Sequence, residues 1–257
     1  MLQAHSFLWN YLWVVPNLLL ILLGIVAWSR GIARRYPWFL AFCFLSAAGD
    51  LAAYLADIIP SVSPESFWLI FWANLVIESI LKFLVLGEIF SLLLEPYPSV
   101  ARMGKALVSG IGAVLVLVSS VIAGLGHGDN AHFLISGAHL LEQTVFIIES
   151  GLIIFLFGFV SHFHLSWDRF SFGILLGLGI SSCEHLGTWA IVANASPSEQ
   201  ARTLFAFLNN ATYHFSVLIW FYYLLVPGKI TVRPGGPPQL TDTLAEWNRE
   251  LERLLQQ

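Results

Sequence analysis

Six carboxylates, Asp50, Glu78, Glu88, Glu142, Glu149 and Glu184, fall well inside stretches of chain otherwise apolar enough to cross a bilayer, and away from the stretch ends a single cation, Lys82, falls among them. A charged group at the bilayer centre costs roughly 2.5 to 3.5 kcal/mol on insertion scales, so such residues face a bundle interior or a wet cavity and mark a site. One lysine cannot neutralise six acids, and the remainder must be protonated, paired with histidine, or bound to a cation. The chemistry open to this pattern is the binding of a cation, a proton or a small solute at mid-depth in a membrane.

Converting spacing to angle on a helix puts Asn74, Glu78, Lys82 and Glu88 on one face of about 120°, with Glu78 and Lys82 a single turn apart and able to pair. His139, Glu142, Gln143 and Glu149 cover a similar arc, as do Ser181, Glu184, His185 and Thr188. Other stretches contribute Asn210, Tyr213 and His214; Ser46, Asp50, Tyr54 and Asp57; and Asn17 beside Pro16. The predicted ligand- or cation-binding set is Asp50, Asn74, Glu78, Lys82, Glu142, Glu149, Glu184, His185, Asn210 and His214. The plainer reading is interhelical glue, since hydrogen bonds between membrane helices contribute about 0.6 kcal/mol on average. It suits Asn17, Gln143, Ser181 and Thr188 best.

The elements that must position these groups follow from composition. Of 257 residues, 57% are hydrophobic and 11% charged, against about 25% charged in soluble domains. A span needs about 20 mostly apolar residues, and seven stretches qualify: 8–29, 38–58, 67–94, 105–125, 132–161, 169–193 and 202–226. The expected fold is an all-α, polytopic membrane bundle of seven transmembrane helices. Breakers such as Pro60, Pro64, Pro96, Pro98 and the run 126–130 leave no room for a soluble domain between spans. The expected organisation is a transmembrane domain over 1–228 and a tail over 229–257 containing a short amphipathic helix.

Arg30, Arg34, Arg35, Arg102, Lys105, Arg169, Lys229, Arg233, Arg249 and Arg253 would share one side, and Arg202 alone the other. The positive-inside rule then sets the N-terminus outside and the C-terminus in the cytoplasm. Trp9, Trp13, Trp68, Trp72 and Trp189 near outer ends, and Trp28, Trp38, Trp167 and Trp220 near inner ends, agree with interfacial belts. The start MLQAHSFLWN lacks a basic segment and a small-residue cleavage site, so the first span is expected to be retained. Cys43 and Cys183 both fall within spans, which excludes a disulfide framework and suits small packing residues. The net charge of −4 reflects the buried acids, and no basic stripe suits nucleic acid.

The segments AAGDLAAYLA around Asp50 and SSCEHLGTWA around Glu184 read alike. Asp50 is followed by Asn74 and Glu78, and Glu184 by Asn210 and His214. This order suggests a 3+1+3 parallel repeat, an arrangement found among secondary transporters with the site at the repeat interface.

The parallel arrangement, with Asn74 and Asn210 in the third and seventh spans, is similar to SWEET-type sugar transporters, although no proline-glutamine pair lies within a span and Pro238-Gln239 is in the tail. The topology is also that of G-protein-coupled receptors, but the third span ends LLLEPYPSVAR without an acid-arginine-aromatic triplet. The seventh ends WFYYLLVPG without an asparagine-proline motif, and having no lysine it cannot form a retinal Schiff base. The phrases EIFSLLLEPYP and LSWDRFSFGILLGLGI resemble segments of seven-helix bacterial membrane proteins of unassigned function. That resemblance implies a fold and no chemistry.

Three functions compete. The first is a secondary transporter in which Asp50, Glu78, Glu149 and Glu184 bind a cation or proton and Asn74, Asn210 and His214 contact the solute. The second is a ligand-sensing regulatory protein acting through its tail, where Leu244, Trp247, Leu251 and Leu254 form an apolar seam after the PGGPP segment and Thr241 is a candidate N-cap. That seam is under two heptads, better suited to the membrane surface or to docking on the protein than to a self-associating zipper. The third is an intramembrane metal-dependent enzyme with His139, Glu142, Glu184, His185 and His214 as ligands, although no His-Glu-x-x-His spacing occurs. Short loops favour a bacterial inner membrane. The formal sequons at Asn194 and Asn210 argue little against it, since the second is within a span.

Overall fold

The computed structural model describes residues 6–104, 131–163, 165, 168–195, 198–226 and 238–255, with 106, 110, 113, 114 and 117 singly. The side chains of 131–142, 189, 192–195, 199, 202, 238–242 and 255 lie outside that set. Among the described residues the chain is all-helical: α1 (Phe7–Ser29), a short 3-10 turn (Ile32–Arg34), α2 (Pro37–Ile58), α3 (Pro64–Leu93), α4 (helical over residues 98–104), α5 (Ala131–His162), α6 (Arg169–Ala195), α7 (Glu199–Leu225) and α8 (Pro238–Leu255). The predicted fourth span, 105–125, falls almost entirely outside the described residues.

Helix starts carry the chemistry that orphaned N–H groups require. Ser6, Ser63 and Ser198 accept from Trp9 N (3.3 Å), Ser66 N (3.2 Å) and Ala201 N (3.3 Å) at the starts of α1, α3 and α7. Asp168 accepts from Ser171 N at 3.3 Å at the start of α6. Between α1 and α2 the chain reverses at Gly31, whose φ of 72° a side chain would resist. Beside it, Arg30 Nη1 donates to Leu224 O at 2.9 Å, placing a cation at the C-terminal end of α7.

Five helical stretches are long and apolar enough to cross a membrane: Phe7–Ser29, Pro37–Ile58, Pro64–Leu93, Gln143–His162 and Arg169–Thr188. The 27 residues of α7 have the length, but Asn209, Asn210, Tyr213 and His214 in its middle lower its apolar character. The six long helices close into a ring in the order α1, α2, α3, α5, α6, α7 and back to α1. Each turns large apolar residues outward, such as Leu18 and Leu22 of α1, Leu45 of α2, Leu69 of α3, Ile154 of α5, Ile191 of α6 and Leu218 of α7. So extensive an exposed apolar belt suits lipid rather than water.

Two close approaches hold the ring. A Cβ on Gly49 of α2 would overlap the Asn74 side chain of α3, and one on Gly177 of α6 would overlap Trp220 of α7. Trp220 Nε1 donates to Ile174 O (3.2 Å) and Ser216 Oγ to Gly177 O (2.9 Å), so the α6–α7 seam is both tight and hydrogen-bonded. Small residues at such crossings let backbones meet.

The tail helix begins at Pro238, not after Thr241 as the sequence suggested. Proline is pre-shaped for the first helical position, where its missing N–H costs nothing. α8 docks on the protein: Leu244 is fully buried in the core, Leu251 packs against it, and Trp247 meets Phe163 at 5.9 Å while staying 53% exposed. Asn248 Oδ1 accepts from Ser99 N (2.8 Å) and Val100 N (3.4 Å), capping the start of α4 from across the chain.

Candidate ligand-binding site

The ring lines a partly open cavity of about 710 Å³. It runs from the level of Trp9, Phe71 and Ala206, near the starts of α1, α3 and α7, down to Phe42 and Trp220. Pro16 inside α1 leaves the Leu12 carbonyl without its helical donor, and Leu12 and Trp13 both line this space. Of the predicted site residues, Asp50, Asn74, Glu78, Lys82, His185 and Asn210 line it.

Two polar clusters join neighbouring helices, one across α2, α3 and α5 and the other across α6 and α7. In the first, Asn74 Nδ2 donates to Asp50 Oδ1 at 2.7 Å, joining α3 to α2. A turn further along α3, Glu78 pairs with Lys82 at 3.0 Å, and Lys82 Nζ lies 3.8 Å from Glu149 of α5. The Glu149 side chain is only 1% exposed and neither of its oxygens has a hydrogen bond. Lys82 is the one cation available to it among the described residues, and at that distance the pairing is loose. Glu149 itself does not line the cavity; it lies behind Lys82.

In the second cluster, Thr188 Oγ1 donates to Glu184 Oε1 at 2.7 Å. The Asn209 amide, with its nitrogen toward the carboxylate, donates to Glu184 Oε2 at 2.7 Å. His185 Nδ1 lies 3.1 Å from Ser181 O and 3.4 Å from Glu184 Oε2. Both neighbours are acceptors, so Nδ1 carries the proton. The Phe146 ring links the clusters: Lys82 Nζ lies 4.8 Å from its centroid and the His185 imidazole stacks on it at 4.1 Å. An ammonium over a ring face is an attractive contact even out of water.

Other predicted residues lie elsewhere. Glu88 does not join the cavity; its oxygens accept from Trp38 N (3.1 Å) and Phe39 N (3.2 Å), where the α2 start has no side-chain cap of its own. A carboxylate there is favoured by the helix dipole. His214 is not among the lining residues; its ring meets Tyr11 at 5.8 Å and its Nδ1 has no partner. His139 and Glu142 sit where side chains are outside the described residues. Among the described residues no three His, Cys, Asp or Glu side chains come together as a metal site would need.

Comparison with known proteins finds no matching family model, no matching curated protein and no matching solved structure.

Several contributors escaped the sequence reading. Asn209, not the neighbouring Asn210, bonds Glu184. Trp9, Trp13 and Phe71 form aromatic wall, where spacing had suggested interfacial anchors for the two tryptophans. The signal was present on α7, where Ala206, Asn209, Asn210, Tyr213 and Trp220 recur at helical spacing on one face. Asn17 and Tyr213, which spacing assigns to glue and to a polar stripe, are joined directly by Tyr213 Oη donating to Asn17 Oδ1 at 3.2 Å.

Proposed function

We propose that the protein is a secondary transporter of a small solute. In this reading it crosses a bacterial inner membrane seven times, with the N-terminus outside and the C-terminal tail in the cytoplasm. The observation that carries it is the partly open cavity of about 710 Å³ lined by Asp50, Asn74, Glu78, Lys82, His185 and Asn210, a volume in the range of small-molecule sites, roughly 300 to 1,000 Å³. Asp50, Glu78 and Glu149 around Lys82 supply a charge balance that a cation or proton would alter. Asn74 and Asn210 supply neutral donors and acceptors for a solute. Helices α1–α3 and α5–α7 as parallel halves would put the cavity at the repeat interface, where transporters of this kind bind. The pairs Asp50–Asn74 and Glu184–Asn209, each an acid on one helix bonded to an asparagine on the next, support that division.

Reconstitution into liposomes tests it. Ion- or proton-coupled uptake of a solute, reduced by Asp50→Asn and Glu78→Gln, is the expected result. Absence of any flux across a broad solute panel, with a variant phenotype likewise absent, removes the reading.

Docking of α8 favours a second reading, a ligand sensor. Leu244 in the core and Asn248 on the α4 start give the tail a seat from which it could be released to a partner. If deleting residues 240–257 leaves flux intact but abolishes a downstream response, the sensor reading replaces the first.

A further inference from the structure

Lys82 lies between two carboxylates of unequal surroundings. Glu78, whose side chain is 20% exposed, lines the cavity and holds the ammonium at 3.0 Å. Glu149, 1% exposed, lies behind it at 3.8 Å, with the Ser182 hydroxyl beside it but no donor in hydrogen-bond geometry to either oxygen. A buried carboxylate that closes no hydrogen bond is costly. Since a charge-assisted N–H···O bond closes to about 2.8 Å, a shift of Lys82 by about 1 Å would satisfy Glu149 and release Glu78 toward the cavity.

We infer that the ligand is an organic monocation whose ammonium group displaces Lys82 from Glu78, with Lys82 moving onto Glu149 and the ligand's apolar body lying against Trp9, Trp13 and Phe71. This rests on the proposed cavity function and names its substrate class. Three carboxyl groups, Asp50, Glu78 and Glu149, surround one lysine, so an incoming ammonium meets acceptors, whereas an anion meets groups that compete with it. The neighbouring aromatic faces favour a cation further. An anion would have to compete with two carboxylates for Lys82 and meet Asp50 as well. Exchange of one ammonium for another leaves Glu78 with the ligand, Glu149 with Lys82 and Asp50 with Asn74, whereas a neutral ligand leaves Glu149 as it was. Glu149 is thus a positioning residue: it acts on the ligand through Lys82.

Equilibrium dialysis of the full-length protein in detergent against 2-phenylethylammonium, 2-phenylethanol and phenylacetate tests this. The ammonium should bind at least about tenfold tighter than the alcohol, the order of one desolvated ion contact, and phenylacetate should not bind. Lys82→Met removes the internal competitor and should tighten ammonium binding, whereas Glu149→Gln removes the lysine's alternative seat and should weaken it. Both should change alcohol binding less than ammonium binding. A merely structural role for Glu149 would shift both probes together. Failure of the ammonium to bind, equal binding of ammonium and alcohol, or shifts of the same sign in the two variants overturns the inference. If Glu149→Gln does not fold, the probe series and the Lys82→Met sign still decide. Flux of a neutral or anionic solute without ammonium binding defeats this inference alone; ammonium binding without flux defeats only transport.

Discussion

Replacing Gly49 with alanine should break the Asp50–Asn74 link without touching either residue. The added Cβ would overlap Asn74 Oδ1 and Cγ and lie 3.2 Å from its Cβ, so the buried asparagine must rotate away from Asp50. Overpacking a tight site costs about 1 to 3 kcal/mol, and the lost interhelical hydrogen bond about 0.6 to 1.7 kcal/mol. Alanine returns about 1 kcal/mol of helix propensity. The net is a destabilisation of about 1 to 4 kcal/mol, read as the unfolding free energy of the purified protein in mixed micelles. A double-mutant cycle isolates the cause. In an Asn74→Ala background only the 3.2 Å contact between the two Cβ atoms remains, and Gly49→Ala should cost much less than in the parent. Equal costs in the two backgrounds would refute the reasoning, as would a Gly49→Ala protein as stable as the parent.

Gly177→Ala should act likewise on Trp220, whose indole occupies the space above that glycine and donates to Ile174 O; a stability loss of at least about 1 kcal/mol is expected, checked by the same unfolding assay. Asn248→Ala removes the cap on α4 and should cost about 0.5 to 2 kcal/mol, with faster proteolytic release of α8 as the readout. Tyr36 donates to Asp168 at 2.5 Å and shares a 2.7 Å hydrogen bond with Ser171. Burial first, and the Asp168 bond second, raise its phenol above the usual 10.0. A folded-state value above the unfolded one contributes stability that is fully present below pH 10 and is lost as pH climbs past it. Tyr36→Phe should therefore flatten the alkaline fall of stability above pH 10, seen in unfolding curves at stepped pH.

Sequence periodicity and caps were enough to locate the helices: α1, α2, α5 and α6 begin within a residue or so of the expected stretches. They were enough, too, for the Glu78–Lys82 pair, because residues one turn apart meet on any helix. A polar stripe gives the direction of a side chain around its own axis. It does not give the height or rotation of the neighbouring helix, so partners across the ring stayed hidden. Tertiary packing alone brought Glu149 within 3.8 Å of Lys82, gave Glu184 to Asn209, and turned Glu88 from a presumed member of the polar centre into a cap for α2. It also turned Trp9 and Trp13 from expected interfacial anchors into cavity wall. Composition determined that this chain suits a bilayer and must place several acids within it. Which acids share an occupant was decided by how six helices close into a ring, through contacts between residues far apart in the chain that no local pattern encodes.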